Sequence, residues 1–282
     1  MNIISAILLF LFSLLCFLIL FILYQSYKKP EITPEKYLRS NIQRENGKKR
    51  IICIGDSITH GNVGVNYVRM VRRRLKEKNV EVINAGVNSE HAYNVYKRIK
   101  PIIKCKPCWV TILIGTNDAN NSFKKLGQLK ARIETRLPEK PTKHFFRENL
   151  NKIIESLKNN TDAEIAVFSI PTIGEDINSE RYKWANEFSK IIREVAQAHN
   201  IHYMPFFESM NSLIIHNGQK TCSSNRTQFG LMVGALIQRF ILRRSYDEIS
   251  KSRNFRYHID RLHLNSTAAK MITEFILNLV NG

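Results

Sequence analysis

The sequence has no material for a disulfide framework, a zinc cluster or a nucleic-acid stacking surface. Its cysteines number five, an odd count; Cys16 lies in a long apolar run and Cys53 in a short one that reads as a buried strand, so neither can join a framework. Cys105-Lys106-Pro107-Cys108 is a single Cys-x-x-Cys pair without a second pair for zinc. It precedes an expected strand, whereas thioredoxin-like redox pairs follow one and open a helix, so two free thiols in a turn are expected. This cysteine usage fits a reducing compartment. No basic stretch is interleaved with aromatics in the manner of a nucleic-acid binder, so no nucleic-acid partner is expected. Hairpin signals are missing too, which argues against an antiparallel architecture.

Charge is absent from Ile3 to Tyr24, where Leu, Ile and Phe dominate. A helix here, at about 1.5 Å per residue, crosses a hydrocarbon core of about 30 Å. The run exceeds the h-region of a signal peptide, roughly 7–15 residues. No Lys or Arg precedes it, and Tyr24-Gln25-Ser26-Tyr27 is not a small-x-small cleavage site. The expectation is therefore an uncleaved single-pass anchor over residues 1–27 and a basic linker over 28–48, Pro30 to Pro34 being an extended spacer and Glu35 to Lys49 polar. Lys28 and Lys29, with Lys36, Arg39, Arg44 and Lys48 to Arg50 behind them, place the C-terminal side in the cytoplasm by the positive-inside rule, an extracytoplasmic domain being the alternative.

Acidic residues are scarce overall, 24 against 43 Lys and Arg, for a net charge of +19. Beside a membrane anchor, the partner such a surface suits is the anionic cytoplasmic leaflet, at about 1 kcal/mol per cation near the surface, the alternative being charge that only keeps the surface soluble. The 282 residues, 44% hydrophobic and 24% charged, are otherwise those of an ordinary globular chain with a full core.

The stretch around which the remainder is organised is Arg50 to Gly61. Ile51 to Ile54 reads as a buried strand that stops at Gly55-Asp56-Ser57, delivering a hydroxyl to the carboxyl edge of a sheet, where ligands sit in open α/β folds. Ser57 would stand near the start of the next helix, whose free N–H groups favour developing negative charge. Gly-Asp-Ser alone is ordinary turn chemistry. Two further blocks give it meaning: Gly115-Thr116-Asn117-Asp118 after a second buried run, Trp109 to Ile114, and Asp260-Arg261-Leu262-His263 near the C-terminus. With these three blocks in this order, the chain resembles the SGNH/GDSL hydrolase superfamily.

The resemblance implies Ser57 as nucleophile, with His263 as base and Asp260 as its orienting carboxylate, and no metal or cofactor. Imidazole alone has an unperturbed pKa near enough to neutrality to take and return the proton. It also implies three oxyanion donors. Ser57 and Asn117 match directly; at the middle position, where the family commonly has the second glycine of Asn-x-Gly-x-x-Gly, this chain reads Asn84-Ala85-Gly86-Val87-Asn88-Ser89. Ser89 can still donate a backbone N–H, and what it changes is the local backbone and the room beside the substrate. Of the other histidines, His60 and His258 are expected at the surface or just behind the site.

Between the blocks, strands are expected at Val80 to Asn84, Trp109 to Ile114, Glu164 to Ile170 and Ile201 to Phe206. Helices are expected at Val65 to Lys78, Ser89 to Ile99, Phe145 to Leu157, Glu180 to His199 and Ser266 to Val280. This alternation argues for one parallel sheet wrapped by helices on both faces; with the resemblance it implies a three-layer α/β/α, flavodoxin-like domain over residues 49–282. The polar segment Ala119 to Lys143, with Leu126, Leu129 and Ile133 at helical spacing, is the expected substrate-selecting element. Phe229 to Leu242 reads three ways: a lid over an acyl groove, an interfacial helix on lipid, or a buried helix.

The expected activity is hydrolysis of an ester or thioester, of a lipid or other acyl substrate, through an acyl-serine by a membrane-anchored enzyme. The alternatives are a carbohydrate O-acetylesterase on the same machinery and a catalytically silent membrane-tethered scaffold.

Overall fold

The computed structural model describes residues 3–40, 47–217 and 227–282. Five strands, β1 (Lys49–Gly55), β2 (Val80–Gly86), β3 (Trp109–Leu113), β4 (Glu164–Phe168) and β5 (His202–Met204), form one sheet in the order β2-β1-β3-β4-β5. Every pairing is parallel. That is the flavodoxin-like order, with its crevice at the carboxyl ends of β1 and β3, where the winding reverses. β1 and β3 are central, which is why Ile51, Ile52, Ile54, Val110 and Ile112 are completely buried and the strands read as mainly apolar runs.

Helices cover both faces. Ser266–Asn281 packs on Tyr67–Arg74 and on Phe206–His216, and its Phe275 ring meets Phe168 of β4 edge-on at 5.9 Å. On the other face Lys143–Asn160 packs on Ala92–Lys97, Ile99–Lys104 and Glu180–Ala198, with Phe146 and Phe188 5.1 Å apart. Two glycines permit the close approach at the crevice. A Cβ on Gly55 would lie 2.4 Å from the Leu113 carbonyl oxygen, and one on Gly86 2.2 Å from the His60 nitrogen.

Several elements differ from the sequence reading. Part of the expected spacer and linker is the short helix Pro34–Arg39, begun by Thr33 capping Lys36 N–H and by Pro at the first turn. Its Tyr37 and Leu38 pack on the main core, and the Ile32 carbonyl accepts from Asn84 N–H at 2.9 Å. The helix expected from Ser89 starts at Ala92 instead, because His91 and Asn94 make a reciprocal cap there. The polar segment after β3 folds as Thr116–Ser122 and Lys125–Glu134, and Leu126, Leu129 and Ile133 point to solvent. Cys105 and Cys108 flank a turn and neither is disulfide-bonded; Cys105 is buried, with its Sγ 3.8 Å from the Pro34 carbonyl oxygen.

The Ile3–Tyr27 helix is long and apolar enough to cross a membrane, a property shared by membrane spans and signal sequences. Its last turn is fastened to the domain: Asn62 Nδ2 donates to the Gln25 carbonyl at 2.9 Å, and Asn88 Nδ2 to the Ser26 carbonyl at 2.9 Å. It also packs against Gln228–Phe240. That helix buries Leu231, Ala235 and Leu236 and exposes Phe229 and Ile237, so it is amphipathic rather than buried all round. Residues 218–226, just before it, lie outside the described residues.

Candidate active site

β1 ends by handing its chain to the four-residue helix Ser57–His60. Asp56 caps that helix, its Oδ1 accepting Ile58 N–H at 3.0 Å, which fixes Ser57 at the first helical position. Across the crevice, the loop between Phe255 and Asn265 carries the other two groups. Ser57 Oγ lies 2.9 Å from His263 Nε2, and His263 Nδ1 lies 2.7 Å from Asp260 Oδ2. The Asp260 contact assigns the proton to Nδ1, so Nε2 is left to accept from the serine hydroxyl. Asp260 is held in turn: its Oδ1 accepts the backbone N–H groups of Leu262 at 3.0 Å and His263 at 2.8 Å.

The loop owes its shape to an arrangement that the sequence did not disclose. Glu175, 85 residues before Asp260 along the chain, is buried and accepts backbone N–H groups from Arg256, Tyr257 and His258. Its Oε1 also lies 3.1 Å from His258 Nδ1, while His258 Nε2 lies 2.8 Å from the Thr172 carbonyl oxygen. His258 is completely buried, and His60 nearly so, with its Nδ1 unpartnered; of the two places expected for them, the surface and just behind the site, the surface is excluded for both. No local spacing announces Glu175, because it comes from the loop after β4. The Gly174 N–H donating to the Arg261 carbonyl at 2.7 Å ties the same two loops together.

The electrostatics suit proton transfer. Burial alone would lower the His263 pKa, yet the Asp260 charge and hydrogen bond, with a further contribution from Asp56, raise it above the ordinary histidine value. Burial would likewise raise Asp260, but His263 and the backbone donors bring it below its usual range. Asp56, whose Oδ2 has no partner, is pushed by burial to about 6, and Asp118 to about 8. Asp118 holds the Ala92 N–H at 3.2 Å and so pins the turn after β2 to the helix that carries Asn117.

The three candidate oxyanion residues, Ser57, Ser89 and Asn117, line one cavity with His263. Asn117 Nδ2 donates one hydrogen to the Glu90 carbonyl at 3.0 Å, which orients the amide and leaves its second hydrogen for another acceptor. Ser89 adopts φ +63°, the left-handed region where glycine is the usual occupant. The turn therefore keeps a glycine-like backbone at some cost in strain. No residue of 119–143 lines this cavity, contrary to the role expected for that segment. Its apolar walls come from Gln228–Phe240 and from the end of the N-terminal helix. Among the described residues, no cluster of three or more His, Cys, Asp or Glu could hold a metal.

A hydroxyl, an imidazole and a carboxylate in line, at the switch point of a parallel sheet, can run acyl transfer. Residues 53–221 match the GDSL-like lipase/acylhydrolase family. The chain belongs to that family. It is a carboxylic ester hydrolase of the SGNH/GDSL type. Among similar solved structures, the acetyl xylan esterase AlAXEase superposes with a TM-score of 0.58 at 19% identity, over 82% of this chain and 99% of that one. Axe2, an acetylxylan esterase from Geobacillus stearothermophilus, gives 0.56 at 14% identity, over 82% and 93%. The lipase/acylhydrolase from Enterococcus faecalis gives 0.54 at 22% identity, over 82% and 95%. At these identities the likeness is one of fold. No curated protein matches the chain.

Proposed function

We propose that this GDSL hydrolase cleaves an ester or thioester through a covalent acyl-Ser57 intermediate. Ser57 Oγ attacks the carbonyl carbon as its proton passes to His263 Nε2. Asp260 holds the imidazole's orientation and stabilises the imidazolium. The negative charge that develops on the carbonyl oxygen is met by N–H groups of Ser57, Ser89 and Asn117. Collapse expels the alcohol or thiol, which takes the proton back from His263. Water then attacks the acyl-serine, giving its proton to the same nitrogen, and the carboxylic acid leaves as Ser57 recovers its hydrogen.

The observation that carries this reading is the unbroken contact from Ser57 Oγ through His263 to Asp260, at 2.9 and 2.7 Å. Replacing Ser57 by Ala tests it. Hydrolysis of p-nitrophenyl acetate should fall by about 10³-fold or more; a folded variant that kept the wild-type rate would falsify the assignment.

The domain plan proposed with it is an anchor over 1–27, a linker over 28–48 that includes the docked Pro34–Arg39 helix, and a catalytic domain over 49–282. The positive charges after the apolar helix support a cytoplasmic catalytic domain. A second reading, deacetylation of O-acetylated carbohydrate, is favoured by the acetylxylan esterases among similar folds. The apolar walls of the cavity favour an acyl substrate with a longer chain.

A further inference from the structure

Beside Ser57 and His263 lies a cavity of about 430 Å³, within the size range of small-molecule sites. Two helices supply its apolar walls. Ile19, Ile22 and Leu23 come from the last turns of the charge-free N-terminal helix, and Phe229, Met232 and Val233 from Gln228–Phe240. A tether that merely held a domain at a membrane would have no cause to enter its active site. Here the tether's last turn is fixed to two loops at the site rim by Asn62 and Asn88, and Ser26 is buried by the docking.

The surroundings of the cavity say where its occupant comes from. The N-terminal helix exposes Leu, Ile and Phe along its length, and 25 residues reach roughly 37 Å, enough for a hydrocarbon core of about 30 Å. Tyr24 and Tyr27 stand at its end, followed by exposed Lys28 and Lys29, the aromatic and cationic residues that favour the headgroup level. Phe229, Ile237 and Leu242 are exposed on the partner helix segment, with exposed Arg243 after them. The cavity is thus bounded by an element built to sit in hydrocarbon and by another with an apolar outer face and basic end.

We propose that the N-terminal helix is a substrate-binding wall as well as an anchor: the acyl chain of a lipid ester in the surrounding leaflet lies between it and Gln228–Phe240, bringing the ester carbonyl to Ser57. This rests on the acyl-Ser57 reading and deepens it by naming the substrate class as a long-chain acyl ester drawn from a membrane. A hydrocarbon chain has no group to hydrogen-bond, so aliphatic walls and exclusion of water are what would select it.

The test uses the full chain in detergent or lipid nanodiscs and compares kcat/KM for p-nitrophenyl dodecanoate with that for p-nitrophenyl acetate. Ile22→Trp and Met232→Trp, which fill the cavity from opposite walls, should each lower the dodecanoate-to-acetate ratio by at least about tenfold. Leu8→Trp, farther up the same helix and away from the cavity, should leave that ratio within about twofold. Ile22→Ala, which only enlarges the cavity, should move the preferred chain length upward. The proposal is overturned if the filling variants leave the ratio unchanged or lower both rates in proportion, or if Leu8→Trp lowers the ratio as much. A wild-type protein that cleaves the acetate but not the dodecanoate also overturns it, while leaving Ser57 as nucleophile. Undiminished acetate hydrolysis by Ser57→Ala would instead sink the underlying mechanism.

Discussion

In the proposed mechanism His263 must be neutral before it can take the proton of Ser57, so whatever holds a proton on the imidazole sets the acid limit of the reaction. Asp260 lies 2.7 Å from Nδ1 and favours the imidazolium, raising its pKa above the ordinary 6.5. A raised pKa means that the base form is present above that value and is lost as pH falls through it. The acidic limb of kcat/KM should therefore lie above 6.5 in the wild type. Asp260→Asn should move the limb to lower pH and lower the rate by about 10³–10⁴-fold, since the amide cannot stabilise the imidazolium. A pH–rate profile of the two proteins checks both effects, and an unmoved limb would remove Asp260 from its role. Much at this scale could be read from the sequence, because Ser57, Asn117, Asp260 and His263 sit in short blocks with recognisable spacing. Glu175 and its pairing with His258 could not, since the pair spans 83 residues and nothing local marks Glu175.

At the scale of elements, chemistry depends on how each strand ends. β1 ends in an Asp-capped helix that presents Ser57, and β2 ends in the turn that carries Ser89 at φ +63°. Ser89→Gly relieves that strain and keeps the N–H, so the ester-hydrolysis rate should hold near the wild-type value. Ser89→Pro removes the N–H and cannot take a positive φ; the rate should fall by about 10²–10³-fold, the cost of one oxyanion donor. Steady-state kinetics with circular dichroism as a check on folding separates a missing donor from a misfolded domain, and a folded Ser89→Pro protein at full rate would exclude the Ser89 N–H from the reaction. The central strands β1 and β3 were legible as mainly apolar runs because the middle of a parallel sheet is covered on both faces. Less legible were helix starts and helix faces. The helix after β2 begins where His91 and Asn94 cap each other, three residues past Ser89. The helical spacing of Leu126, Leu129 and Ile133 marks a face that looks to solvent.

For the whole molecule, what matters is how distant stretches converge. The hydroxyl and the imidazole are separated by 206 residues in sequence and 2.9 Å in space. Their convergence follows from the sheet: β1 in the middle delivers Ser57 to the crevice, and the last loop before the Ser266–Asn281 helix crosses over it. The order of the three blocks made this arrangement legible. The docking of the apolar N-terminal helix at the same crevice was not, since an apolar run shows that a helix is suited to lipid without showing what its last turns touch. Under the proposed membrane-anchored reading, the chain's net charge of +19 would favour an anionic leaflet, an attraction that should weaken with salt.

The most direct test of the acyl-serine mechanism is to treat the folded full chain with a fluorophosphonate at neutral pH and locate the adduct by peptide mass spectrometry. A single phosphonylated residue at Ser57, lost in a folded His263→Ala protein, is the predicted result. Folded wild-type protein that stays unlabelled, or carries its label on another residue, would contradict the account.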